Sequence, residues 1–214
     1  MKPRWWDDAA ADLARRDRVM RRLVRAHPGV SLRRRSDAFT ALARAITGQQ
    51  ISVKAADAIW RRFVAAAAPA ETRKRFPRLD PVAVAALDAP TMRAIGFSER
   101  KAGYVRDLAD HFASGRLDAR AWTSLDDEAL IGALTGVRGI GRWTAEMFLM
   151  FHELRPDVYP VDDLGLRKAV AQHYRKGADM PLADIRAQGE HWRPWRTAAT
   201  WYLWRSLDPV PIEY

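Results

Sequence analysis

The spacing of apolar residues is helical along nearly the whole chain, and this limits the fold more than any other feature. Phe39, Leu42, Ala43 and Ile46 recur at i, i+3, i+4 and i+7, and Ile51, Ala55, Ile59 and Phe63 recur every four residues, as the buried stripe of a helix does. Ser36 and Ser52 stand where a side-chain oxygen would cap these two helices. Asp80-Pro81 opens a short helix to Leu87, and Ser98 caps another whose stripe is Ala102, Val105, Leu108, Ala109 and Phe112, closed by Gly115. Further helices are expected at 126–134, 142–153, 164–175, 182–191 and 195–206, separated by glycines and prolines such as Gly136, Gly139, Gly141, Pro156 and Pro160. No stretch alternates apolar and polar residues over the roughly six positions of a half-buried strand. The expected fold class is therefore all-α, with 65–74 and 117–123 as connections.

The charge balance narrows the partners. Among 214 residues, 36 Lys and Arg, 30 of them Arg, oppose 26 Asp and Glu, for a net charge of +10. Such an excess attracts polyanions, although an arginine-heavy composition is also what a GC-rich genome produces. The chain has no cysteine, which excludes disulfides, thiolate zinc sites, cysteine nucleophiles and cysteine-ligated clusters. None of the five histidines is spaced as a ligand pair on one helix face. The start, MKPRWWDDAAADLARR, carries no apolar signal core, and no run approaches the ~18 apolar residues of a membrane span. A cytoplasmic, bacterial-type protein with no membrane partner is expected.

The segment from Leu134 to Ala145 holds the most informative pattern: a helix end, a Gly-apolar-x-Gly-apolar-Gly turn, and a second helix starting at once. Its glycines would let a ligand approach the backbone, and the free N–H groups of the second helix would favour an anion such as a phosphate. The alternative is a tight corner between helices. Downstream, Tyr159-Pro160-Val161-Asp162-Asp163-Leu164-Gly165-Leu166 sets two aspartates before a helix, where one can cap while the other is free to act. A carboxylate there suits a group that must face a developing cation.

The run from Gly136 to Asp163 resembles the helix-hairpin-helix, Gly/Pro-rich loop and aspartate of the DNA glycosylase superfamily named for those elements, and within it the 3-methyladenine DNA glycosylase II type. The resemblance extends to Ala45–Ser52, similar to the family's early duplex-probing loop, to Gly96-Phe97-Ser98 with Lys101-Ala102, and to Arg193-Pro194-Trp195-Arg196 with Trp204. It covers about residues 36–206 in the family's order. It implies one glycosylase domain, 1–214, of two helical lobes with the hairpin (134–145) at a central cleft. Lobe A would span about 38–155, and lobe B would join about 1–37 to 156–214. The extra N-terminal β-containing domain of larger relatives is not expected, since few residues precede Ser36.

Carried over residue by residue, Asp163 is the catalytic aspartate, with Asp162 left as cap or support. The implied activity is hydrolysis of the N-glycosidic bond of alkylated purines, such as 3-methyladenine and 7-methylguanine, in damaged double-stranded DNA, by base flipping at the start of base excision repair. Trp143 stands where members that also cleave the backbone carry a nucleophilic lysine, so the resemblance implies a monofunctional enzyme without lyase activity. Trp143 and Trp204 match base-facing aromatic positions, and Tyr159 and Tyr202 are weaker candidates, because rings of this kind in a helical protein mostly fill core; the remaining tryptophans are read as core. Gln49 and Gln50 either form a polar helix corner or supply the residue that fills the gap left by the flipped nucleotide. A phosphate would sit on N–H groups near Gly139 and Gly141 beside Thr144. No cofactor is required, but carbonyls of Thr135, Val137 and Ile140 match a structural monovalent cation site. The protein is expected to act as a monomer. Two rivals remain: a glycosylase for uncharged or mispaired bases on the same scaffold, and a non-enzymatic helix-hairpin-helix DNA-binding protein.

Overall fold

The computed structural model describes residues 2–68 and 77–207. Among these residues the protein is helical and has no strand. The first helices, α1 (Trp6–Arg16) and α2 (Arg18–Ala26), are followed by α3 (Ala38–Gly48), α4 (Val53–Ala67), α5 (Pro81–Ala85), α6 (Ala89–Ile95) and α7 (Glu99–Ala113). A 3-10 turn at Ala119–Ser124 leads to α8 (Asp127–Thr135) and α9 (Arg142–Phe151), and then to α10 (Leu164–Tyr174), α11 (Leu182–Glu190) and α12 (Arg196–Leu207). None of these helices is long and apolar enough to cross a membrane.

Local chemistry explains most boundaries. Ser52 caps α4 through the Ala55 N–H at 3.3 Å, and Ser98 caps α7 through the Lys101 N–H at 3.3 Å, both as expected. The cap of α3 is Asp37, not Ser36: its carboxylate accepts the Thr40 N–H at 3.0 Å and the Thr40 hydroxyl at 2.8 Å, which only the residue adjoining the helix can do. The short helix after Asp80 stops at Ala85 rather than Leu87. Of the expected connection at 65–74, residues 65–67 continue α4 and 69–74 lie outside the described residues. The connection at 117–123 is instead largely the 3-10 turn, wound around buried Trp122.

The chain divides into two compact units, one made of residues up to Arg34 together with those from Leu149 on, the other of Arg35–Phe148. The continuous unit packs α7 against α3, α5 and α6, and α4 against α3 and α6. Most of the expected stripes meet here: Phe39, Leu42, Ile46, Phe63, Val105 and Leu108 are buried, whereas Ala55, Ile59 and Phe112 are half-buried and Ile51 precedes α4 and is exposed. A run of edge-on rings, Phe39 to Phe112 to Trp122 to Phe148, continues that core with centroid separations of 5.4, 6.0 and 5.5 Å.

The other unit brings the first two helices and the later ones into one core of α1, α2, α10 and α12. Trp6 and Trp192 are fully buried in it. Asp17 caps α2 with one carboxylate oxygen and accepts from the Tyr174 hydroxyl at 2.6 Å and the Trp192 indole at 3.1 Å with the other. One acidic side chain thereby satisfies a helix start and two aromatic donors that burial would otherwise leave unpaired.

Candidate functional site

In the continuous unit, α8 runs to Thr135 and the chain turns through Gly136–Gly141 into α9. The turn is closed by the Val137 N–H on the Leu134 carbonyl and the Ile140 N–H on the Val137 carbonyl, both at 3.1 Å. Val137 and Ile140 are buried and anchor it from beneath. Gly139 must be glycine on two counts: its φ is +87°, and a Cβ there would lie 2.3 Å from the Tyr104 ring. A Cβ on exposed Gly141 would meet nothing within 4 Å. The N–H groups of Gly139 and Gly141 hold no bond to another described residue, and the first turn of α9 adds donors without intrahelical acceptors. These amides form a concentrated donor surface for an anion.

Side chains around the turn hold it rather than extend it. Arg138 donates its backbone N–H to Asp107 at 2.8 Å, and its guanidinium lies 3.5 Å from the same carboxylate. Arg142 hydrogen-bonds Glu128 at 2.9 Å and Glu146 at 3.1 Å, and the bond with Glu128 is the main reason its guanidinium holds its proton more tightly than usual. Thr144 is buried against the turn, and Trp143, on the same first turn of α9, is 40% exposed.

The two glutamines separate. Gln49 turns inward, donating its amide to the Gly139 carbonyl at 2.9 Å and reaching the Thr144 hydroxyl at 3.5 Å. Gln50 is exposed, at a left-handed φ of +57° that a side chain of this type rarely adopts. Lys101 secures the end of α3 that carries them: its ammonium donates to the carbonyls of Thr47 and Gln49, both at 2.8 Å. Burial, and then repulsion from Arg100, push this lysine below its usual pKa. Lys101, Tyr104 and Asp107 thus all support the hairpin or its neighbouring loop. Their i, i+3, i+6 spacing on α7 is the signal that could have revealed this.

In the other unit, the cap of α10 is Asp163 and not Asp162, which is exposed. Asp163 adjoins the helix with extended backbone, so its Oδ1 reaches the Leu166 N–H at 2.7 Å. The same oxygen accepts the Trp204 indole N–H at 2.8 Å. Both bonds fall on Oδ1, and the residue is only half-buried. The cap and the candidate catalytic group are therefore one residue, not the two adjacent aspartates expected from the sequence. Gly165 permits this approach: a Cβ there would lie 3.1 Å from Oδ1 and 3.3 Å from the indole. Phe151 backs Trp204 in a near-parallel stack, centroids 6.1 Å apart.

The two tyrosine candidates are engaged structurally. Tyr202 is 2% exposed, with its ring packed on Trp6 and Trp201. Tyr159 donates its hydroxyl to the Ile185 carbonyl at 2.9 Å and sets its ring edge-on to Trp192. Its ring lies so close to Gly189 that a Cβ there would come within 2.4 Å. Burial raises the pKa of both phenols. Their positions serve packing, with Tyr159 pinning the loop that leads to Asp163. No cluster of three metal-ligating side chains occurs among the described residues.

Comparison with known proteins places this arrangement. A family profile described as HhH-GPD superfamily base excision DNA repair protein matches residues 43–194. DNA-3-methyladenine glycosylase 1 of Schizosaccharomyces pombe is 36% identical over 173 residues, covering 80% of this chain and 73% of the relative. DNA-3-methyladenine glycosylase 2 of Escherichia coli is 32% identical over 196 residues, 90% of this chain and 66% of the relative. Among solved structures, a 3-methyladenine DNA glycosylase of S. pombe in complex with abasic DNA superposes with a TM-score of 0.74 at 33% identity, covering 93% of this chain and 96% of that one.

Proposed function

The chain belongs to the HhH-GPD superfamily of base excision DNA repair proteins, and from that premise we propose that it is a monofunctional DNA glycosylase releasing alkylated purines, of the 3-methyladenine and 7-methylguanine type, from duplex DNA. The observation that carries the reading is the carboxylate of Asp163, held by a helix N–H and an indole N–H on one oxygen. Relatives named DNA-3-methyladenine glycosylases over most of the chain support the substrate class.

Each group has a task in this reading. Amides of the Gly139–Gly141 turn and the start of α9, with Thr144 beside them, hold a backbone phosphate. Gln50 enters the gap left by the everted nucleotide, while Gln49 braces the hairpin. Trp204 and Trp143 supply aromatic faces, and a cationic purine against an indole gains roughly 0.5–2 kcal/mol. As the N-glycosidic bond stretches, positive charge develops on the sugar, and Asp163 stabilises it and orients the attacking water. An alkylated purine already carries positive charge and departs as a neutral base, so no general acid is required. The two N–H donors on Oδ1 fix the carboxylate's direction, so little reorganisation is needed as charge appears.

Trp143 takes the place of the lysine that would attack the sugar in a lyase, and its indole cannot form a Schiff base. Borohydride treatment during turnover should therefore trap no covalent protein–DNA adduct; a strong trapped band would refute the monofunctional assignment. The carbonyls of Thr135, Val137 and Ile140 suit a structural monovalent cation: they are neutral oxygens, and the Val137 carbonyl, which already accepts the Ile140 N–H at 3.1 Å, retains a second lone pair. No catalytic step passes through that ion. The protein acts on damaged duplex DNA as a monomer. A panel of duplexes carrying 3-methyladenine, 7-methylguanine, ethenoadenine or hypoxanthine, read by free base, tests the reading. Release confined to the two charged purines supports it, and preference for the uncharged bases contradicts it.

A further inference from the structure

The hairpin meets an anion through backbone amides and leaves most of the chain's positive charge without a role. Beside it, α6, α7 and the hairpin loop border an open groove of about 750 Å³. Arg93, Arg100, Arg106 and Arg138 line it against one carboxylate, Glu99. Between them the lining is apolar, with Met92, Phe97 and the ring of Tyr104. Two of the arginines are engaged: Arg106 donates to the Leu87 carbonyl at 2.8 Å, and Arg138 pairs with Asp107. Arg93 and Arg100 are exposed, and their guanidinium groups make no hydrogen bond or ion pair with another described residue. Leaving them unpaired keeps two charges available to an outside anion, at the cost of repulsion between Arg100 and Lys101.

The groove is continuous with the hairpin, because the Tyr104 ring that lines it also supports Gly139. Charges spread along an open trough, rather than converging in a closed pocket, match an extended polyanion better than a small one. A duplex held at the hairpin carries a further negative charge about every 1.7 Å of its length. We propose that this groove is a second DNA-backbone contact, in which Arg93 and Arg100 neutralise phosphates of the same duplex that the hairpin holds. The proposal rests on the glycosylase reading for its ligand, and it assigns these arginines to affinity and not to chemistry.

The test compares the double variant Arg93→Ala/Arg100→Ala with a charge-matched double, Arg25→Ala/Arg186→Ala, whose side chains are exposed on the other unit. Kd for duplex containing an abasic site is measured from ~50 to ~200 mM salt, with single-turnover base release at saturating protein. Loss of two phosphate contacts should lower the salt slope of binding by about 1.8, which narrows the wild-type advantage roughly 12-fold over that fourfold range. The charge-matched double should keep the wild-type slope, and the release rate at saturation should be unchanged in both. A groove variant with the wild-type slope, or an equal fall in both doubles, overturns the proposal. Wild-type protein that fails to bind the duplex at all would instead remove the glycosylase reading.

Discussion

Helix α9 is preceded by Gly141, a residue with no side chain to cap it, whereas α10 is preceded by Asp163, whose own carboxylate occupies the helix start. Both ends concentrate positive dipole and N–H groups without intrahelical acceptors. At α9 the chain leaves these groups to an anion from outside, and two glycines keep side chains away from it. At α10 it supplies the anion internally and steadies it with Trp204. In the proposed reading the same backbone feature serves binding in one unit and chemistry in the other, and the choice depends on the residue preceding the helix.

If that division of labour holds, variants should separate the two roles. The largest effect belongs to Asp163→Asn. Asparagine caps a helix as well as aspartate does, so thermal stability should hardly change. Losing the negative charge should slow base release about 10²–10³-fold, while Kd for abasic-site DNA stays within a few-fold of wild type. Next is Gly139→Ala, which forces a Cβ onto Tyr104 at a positive φ. The backbone term alone costs roughly 1–2 kcal/mol, so Tm should drop by several degrees and abasic-DNA affinity should fall with it. Gly141→Ala sharpens the contrast, since its Cβ meets nothing in the protein: Tm should hold while affinity falls, measured by the same melting and binding titrations. The smallest effect is Trp204→Phe, which keeps a ring against Phe151 but removes the N–H on Asp163. A bond to a charged group of about 1.5–3 kcal/mol, partly replaced by water, predicts a loss near 10-fold in single-turnover release with little change in abasic-DNA binding.

These residues also mark how far the sequence could be read. Helices α3, α4 and α7 were legible because each buries one face, which imposes a 3.6-residue period on Phe39, Phe63 and Val105 alike. The hairpin was legible because its glycines punctuate two helices. Which of two adjacent aspartates caps α10 was not, since a shift of one residue in the helix start exchanges their roles. Along α12, Thr197–Leu203 are buried without interruption, so no stripe distinguishes the core residue Tyr202 from Trp204, which turns to Asp163. Gln49 and Gln50 are likewise identical in type and separate only through the positive φ at Gln50.

The central claim is that the Asp163 carboxylate drives hydrolysis of the bond between an alkylated purine and its sugar. Its most direct test is release of free 3-methyladenine from a methylated duplex by the wild-type protein and by Asp163→Asn, with abasic-DNA binding measured in parallel. Rapid release by the wild type, near-complete loss in the variant and undiminished binding by both is the predicted result. Comparable release by the two proteins, or none from a wild type that binds abasic DNA well, would contradict it.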